Sequence, residues 1–152
     1  MIPDLVDNVL PEGLHECTIE EVADAFGRFW RSDQRIKLTT RLKKFILEAR
    51  RSGNVAAVVI DGSYVTGKPE PEDIDLVVAL KPDVDLDREL TPLEYKIQSK
   101  RVVKSEYRFD IYAVPDGSVD YNKLVEFFMR VRKDDPSQTT NRASKGLLRI
   151  PL

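Results

Sequence analysis

Two short runs, residues 55–60 and 73–80, most constrain what this chain can fold into. The first, Val-Ala-Ala-Val-Val-Ile, follows a helical stretch and is too short and too β-branched for a helix of its own, so it reads as a buried strand. Asp61-Gly62-Ser63 ends it, and a loop with Gly67, Pro69 and Pro71 leads to the second run. That run opens with alternation, Asp73-Ile74-Asp75-Leu76, and closes fully apolar, as a strand with both aspartates at its head would. A third strand is predicted over 108–114, stopped by Pro115, Asp116 and Gly117.

Helical signals surround these runs. Thr18 with Glu21 forms a capping box for a short helix to about Phe29, carrying Val22, Ala25 and Phe26. Ser32 can cap a longer helix to about Arg51, ended by Gly53, with Ile36, Leu42, Phe45, Ile46 and Ala49 on its apolar side. Its other faces carry Arg35, Lys37, Arg41, Lys43, Lys44, Arg50 and Arg51, expected to be solvated rather than an RNA-binding surface. After an acidic turn over 83–89, Thr91 and Pro92 open a helix to about Ser99, and Asp120 can cap another containing Leu124, Val125, Phe127, Phe128 and Val131. Residues 1–16 are expected to form an irregular arm and 134–146 a polar loop, with 147–150 as an edge strand or docked tail. Helices interleaved with strands predict an α/β (α+β) fold, a mixed sheet with flanking helices in one domain over 1–152.

Bulk numbers narrow the setting. A chain of 152 residues, 41% hydrophobic, can hide roughly 70% of its extended surface around one core. With 24 Lys and Arg against 26 Asp and Glu there is no global field toward nucleic acid or anionic lipid, so a polyanion must meet a local basic patch. Cys17 is the single cysteine and reads as a packing residue. With no basic-then-apolar leader and no apolar run near the roughly 20 residues of a membrane span, a cytoplasmic location is expected.

The aspartates suggest chemistry. Nucleotidyl transfer needs a triphosphate held in line and its charge neutralised by a cation on carboxylate oxygens. Gly62-Ser63 offers a backbone turn and a hydroxyl to phosphate. Asp73 and Asp75, two apart on a strand, leave on one face, while Ile74 enters the core. Asp110, between Phe109 and Ile111 on another strand, suits a third ligand or a general base. Each also has a plain reading: Gly62 as a turn glycine, Asp73 and Asp75 as turn and surface residues, Asp110 paired with Arg108 or Lys104.

The stretch Ile60-Asp61-Gly62-Ser63, nine residues, then Asp73-Ile74-Asp75-Leu76, resembles the signature of the DNA polymerase beta-like nucleotidyltransferase superfamily, and the likeness covers residues 55–114. The opening Met1-Ile2-Pro3-Asp4-Leu5 and the run Leu10 through His15 also look like a group of small bacterial proteins that carry this motif. The resemblance implies a minimal nucleotidyltransferase fold acting with Mg²⁺ or Mn²⁺. It implies that Gly62 and Ser63 bind the triphosphate, that Asp73 and Asp75 ligate metal, and that Asp110 is the third metal or base residue. It also implies an NTP such as ATP as substrate, an acceptor hydroxyl on RNA (tRNA among them), protein or a small molecule, and a setting in a toxin-antitoxin or phage-defence pair. Thr66-Gly67-Lys68 stands where such proteins often carry Arg-Gly, which makes Lys68 the corresponding phosphate contact, and nothing in these 152 residues is expected to form the separate helical domain that grips a base in the large polymerases. A non-catalytic nucleotide-binding or regulatory protein that kept the fold is the alternative.

Other residues have bland readings. His15 is expected to be a hydrogen-bonded arm residue, Phe29 and Trp30 core or interface aromatics rather than a base stack, and Lys100, Arg101 and Lys104 a solvated cluster.

Overall fold

A computed structural model describes residues 1–132 and 140–152. Five strands, β1 (Gly13–Glu16), β2 (Val55–Asp61), β3 (Asp75–Leu80), β4 (Asp110–Pro115) and β5 (Gly146–Pro151), form one mixed sheet in the order β1-β5-β2-β3-β4. The outer pairs, β1 with β5 and β3 with β4, are parallel, and the inner pairs are antiparallel. The five helices are α1 (Ile19–Phe26), α2 (Gln34–Ser52), α3 (Pro92–Gln98), α4 (Lys100–Glu106) and α5 (Val119–Met129). The expected α/β class, a mixed sheet with flanking helices, is what the chain adopts.

Period-two alternation sorts the strands into two faces. Val58, Ile60, Leu76, Val78, Leu80 and Ile111 point to a core shared with α1 to α4, built around Phe45, Tyr107 and Phe109. Phe45 meets Tyr107 edge-on at 5.2 Å between ring centroids, an arrangement favoured by the ring quadrupoles. Ala57, Val59, Val77, Ala79 and Leu147 point the other way, to a smaller cluster under α5.

Several local expectations hold. Thr18 Oγ1 accepts from Glu21 N at 3.2 Å and Thr18 N donates to the Glu21 carboxylate at 2.8 Å, starting α1 as the box requires. Thr91 and Pro92 open α3 as expected, with Glu94 completing a box there that was not expected from the sequence, and Gly53 ends α2 at φ 76°.

Others are corrected. The arm over 1–16 is not irregular throughout: β1 adds to the sheet beside β5, and Val9 and Leu10 are buried. The C-terminal segment is neither edge nor tail, because β5 lies between β1 and β2. α1 stops at Phe26, where Gly27 follows, and a separate helix, α4, stands before β4. α5 is capped by Ser118, whose Oγ accepts from Tyr121 N at 3.1 Å, and not by Asp120. On α2, Arg35 is buried and Ile36 is 42% exposed, the reverse of the expected sides. Residues 134–139 of the loop expected over 134–146 lie outside the described residues, and no described helix is long and apolar enough to cross a membrane.

Candidate functional site

Sheet register brings three aspartates into one row. Asp61 at the end of β2 pairs with Asp75 at the start of β3, and Asp75 pairs with Asp110 at the start of β4. In-register neighbours share a face, here the α5 face, to which Val59 and Val77 also point. Asp73, two residues before Asp75, stands beside the row at the turn.

That turn is held by Asp73 itself. Ser63 N donates to Asp73 Oδ1 at 3.1 Å and the Ser63 hydroxyl donates to the same carboxylate. Ser63 Oγ in turn accepts from Glu72 N at 3.1 Å, so turn and strand head are tied twice. Gly62 cannot be another residue without cost: its φ is 101°, and an added Cβ would stand 2.7 Å from the Asp73 carbonyl oxygen. After the turn, the loop is gripped from beneath by Arg35, which donates to the carbonyls of Tyr64 and Thr66 at 2.8 Å and of Lys68 at 2.5 Å.

The row is electrostatically crowded. Burial, then the negative charges of Asp73, Asp61 and Asp110, push the Asp75 carboxyl up to about 6. Burial also raises Asp61, opposed by Lys145. Lys145 Nζ lies 2.8 Å from Asp61 Oδ1, an ion pair by distance, yet that oxygen is buried without hydrogen-bond geometry to any partner. Asp110 is half exposed and meets Lys104 at 3.2 Å, the plain pairing that its sequence position allowed.

A cavity of about 410 Å³ opens on this arrangement. Gly62, Ser63, Lys68, Asp73 and Asp75 all line it, as does Asp61, whereas Asp110 stands in the row but outside the lining. The far wall comes from the end of α5 and the segment before β5: Phe127, Phe128, Arg130, Arg132 and Lys145. These two segments are joined by Val131 N to Ala143 O at 3.0 Å and Lys145 N to Met129 O at 2.8 Å. Among the described residues, no three His, Cys, Asp or Glu side chains gather closely enough to hold a metal ion as they lie.

Sequence reasoning missed Asp61, Arg130, Arg132 and Lys145. Asp61 carried a signal, an acid closing an apolar strand two residues from Ser63; Lys145 carried none, since its place depends on β5 lying beside β2. Of the remaining candidates, His15 Nε2 is 2.7 Å from the Pro11 carbonyl oxygen, as an arm contact. Cys17 is buried, and its thiol is pushed up to about 11 chiefly by desolvation, so it is no nucleophile at neutral pH. Lys100 lies over the Tyr112 ring at 4.1 Å. Phe29 and Trp30 are not core residues, being 66% and 54% exposed.

A family of unknown function, DUF6932, matches residues 3–151, and the chain belongs to it. No curated protein and no solved structure matches the chain.

Proposed function

We propose that this protein is a metal-dependent nucleotidyltransferase that moves a nucleoside monophosphate from a nucleoside triphosphate to an acceptor hydroxyl, releasing pyrophosphate. The observation that carries this reading is the aspartate row beside a glycine turn, in a cavity also lined by Lys68, Arg130, Arg132 and Lys145. Carboxylates and cations lining one cavity suit a ligand that is a polyanion carrying its own cation.

The donor set fits a hard divalent ion. Asp75 is raised by burial and then by its acidic neighbours, and a cation would relieve both. Mg²⁺ is commonly held by one or two carboxylates plus substrate phosphates, so a preformed three-carboxylate cage is not required. Asp73 and Asp75, with Asp110 beside them, would hold Mg²⁺ or Mn²⁺, which when bound neutralises charge on the reacting phosphates.

The chain's own groups do the rest. The Ser63 N–H and hydroxyl, which donate to Asp73 in the ligand-free chain, would exchange that carboxylate for phosphate oxygens once Asp73 holds the cation, while Lys68, Arg130, Arg132 and Lys145 draw negative charge toward the departing pyrophosphate. Asp110, the row's most open carboxylate, accepts the acceptor's proton as the new P–O bond forms and the bond to pyrophosphate breaks. Incubation of the protein with each α-labelled NTP, Mg²⁺ or Mn²⁺ and cell RNA or protein fractions transfers label. The Asp73→Ala, Asp75→Ala double variant transfers none, and equal label from both proteins would remove the reading.

One observation favours a second reading, a nucleotide-binding or regulatory protein without catalysis. Lys145 and Lys104 already neutralise the two outer aspartates without a metal ion. Under that reading NTP binding raises the melting temperature while label transfer stays absent in every fraction.

A further inference from the structure

A second cavity lies outside the proposed chemistry. It measures about 380 Å³, opens between the end of α1 and the loop after the Gly62-Ser63 turn, and shares Thr66 and Lys68 with the first cavity. Phe29 and Trp30 line it, and both rings stand largely in water. A tight turn holds them there: Ser32 N donates to Trp30 O at 2.7 Å, and Arg31 between them has φ 61°, a conformation L residues disfavour. Burial of either ring would be favourable, so two adjacent rings left in water beside a disfavoured backbone turn at Arg31 mark a surface built for a ligand.

The charges around the rings say which ligand. Arg35, only 7% exposed, lines the cavity, and its guanidinium is satisfied by carbonyl oxygens alone. Arg28 and Lys68 line the cavity, and Arg31 adjoins Trp30 in sequence. Among the described residues none of these four cations has a carboxylate partner, and Asp33, the next acid along the chain, is taken by Lys37 at 3.4 Å. Arg35 is spent on those carbonyls and forms part of the wall, which leaves Arg28, Arg31 and Lys68 open, and an apolar protein partner has no use for three uncompensated cations. Planar rings beside free cations are how proteins hold an unpaired strand, its bases stacked on the rings and its phosphates on the cations.

We propose that this groove binds single-stranded nucleic acid and leads its free end past Lys68 to the carboxylate cavity. The second half rests on the transfer reading, since it names the acceptor; the binding itself does not.

Trp30 is the only tryptophan in the chain, so its emission reports directly on the groove. Titration with a single-stranded RNA of about twelve nucleotides, and with its DNA counterpart, quenches that emission. Phe29→Ala, at an exposed position, weakens the affinity by about tenfold. Arg28→Ala with Lys68→Ala flattens the log-log salt dependence by about 1.4. Absence of quenching by either strand overturns the proposal. So does equal binding of the duplex form, or competition by inorganic polyphosphate that is as strong as the RNA and indifferent to Phe29→Ala. Emission that changes with protein concentration and not with added strand assigns the groove to a second copy of the chain and also overturns it. Asp73→Ala, Asp75→Ala keeps the quenching and loses label transfer, so failure of the transfer reading leaves the groove standing, and the reverse is equally visible.

Discussion

The two faces of the sheet are covered unequally, and the difference explains where the molecule can act. One face lies under α1 to α4 with packed aromatics at its centre, and the cavity on that side opens only at its margin, by the end of α1. The other lies under α5 alone, and at the end where β2 stops and β3 and β4 start, a single helix leaves a cavity floored by aspartates. The same alternation that feeds apolar side chains to the first face delivers Asp61, Asp75 and Asp110 to the second. Stability is concentrated on the closed face, and charge frustration is tolerated at the open end of the other.

Substitutions can break or sharpen that contrast. Phe45→Ala, at the centre of the closed face, costs about 3–5 kcal/mol by chemical denaturation, whereas Val125→Ala, half-buried on α5, costs about 1 kcal/mol. Equal losses would mean that the faces share one core. Gly62→Ala costs about 1–3 kcal/mol through its positive φ and the close Asp73 carbonyl and, under the proposed function, weakens NTP binding with it. Thr91→Ala, which removes the cap of α3, costs about 1 kcal/mol in the same denaturation assay.

Asp75→Asn runs the other way. Asp75 titrates near 6 in the folded protein and near 3.8 unfolded, so the folded state holds the proton more tightly and its contribution to stability declines as pH rises between the two. At neutral pH the variant is therefore more stable than the native chain, by about 1 kcal/mol after discounting for solvent at a partly exposed group. Melting curves show this gain shrinking as pH falls below about 6 and vanishing below about 4. A loss of stability at neutral pH would mean that the row is not frustrated. The smallest effect belongs to Lys104→Ala: the pair with Asp110 is exposed on both sides, so stability moves by less than about 0.5 kcal/mol.

Legibility in the sequence followed how local each determinant was. The capping box at Thr18, the helix start at Thr91 and Pro92 and the stop at Gly53 act within a few residues, and all were readable. So were β2 and β3, whose apolar runs carry their own period. Gly13–Glu16 has no such pattern and becomes a strand only because β5 offers it an edge, and β5 itself becomes interior only once β1 and β2 flank it. In the candidate site, turn chemistry marks Gly62 and Ser63 and the two-residue period marks Asp73 and Asp75, although Asp73 lies at the turn before β3 rather than on the strand as expected; Lys68 came only from the resemblance. Asp110 was found, but its exposure and its pairing with Lys104 were open between alternatives. Lys145 reaches Asp61 across 84 positions of sequence, and Arg35 reaches the loop after the turn across about 30, distances over which no periodicity informs. Charge alone made Arg35 look solvated; four carbonyl oxygens make its burial tolerable.

The central claim is that Asp73 and Asp75, at the open end of the sheet, hold a cation and triphosphate together. Thermal unfolding with each NTP, with and without Mg²⁺, tests it in the native chain and in Asp73→Ala, Asp75→Ala. At a ligand concentration of about 100 times Kd, the native chain gains about 2.7 kcal/mol only when nucleotide and metal are both present, and the double variant gains none. A shift of equal size in both proteins, or none in the native chain with any of the four nucleotides, would contradict it.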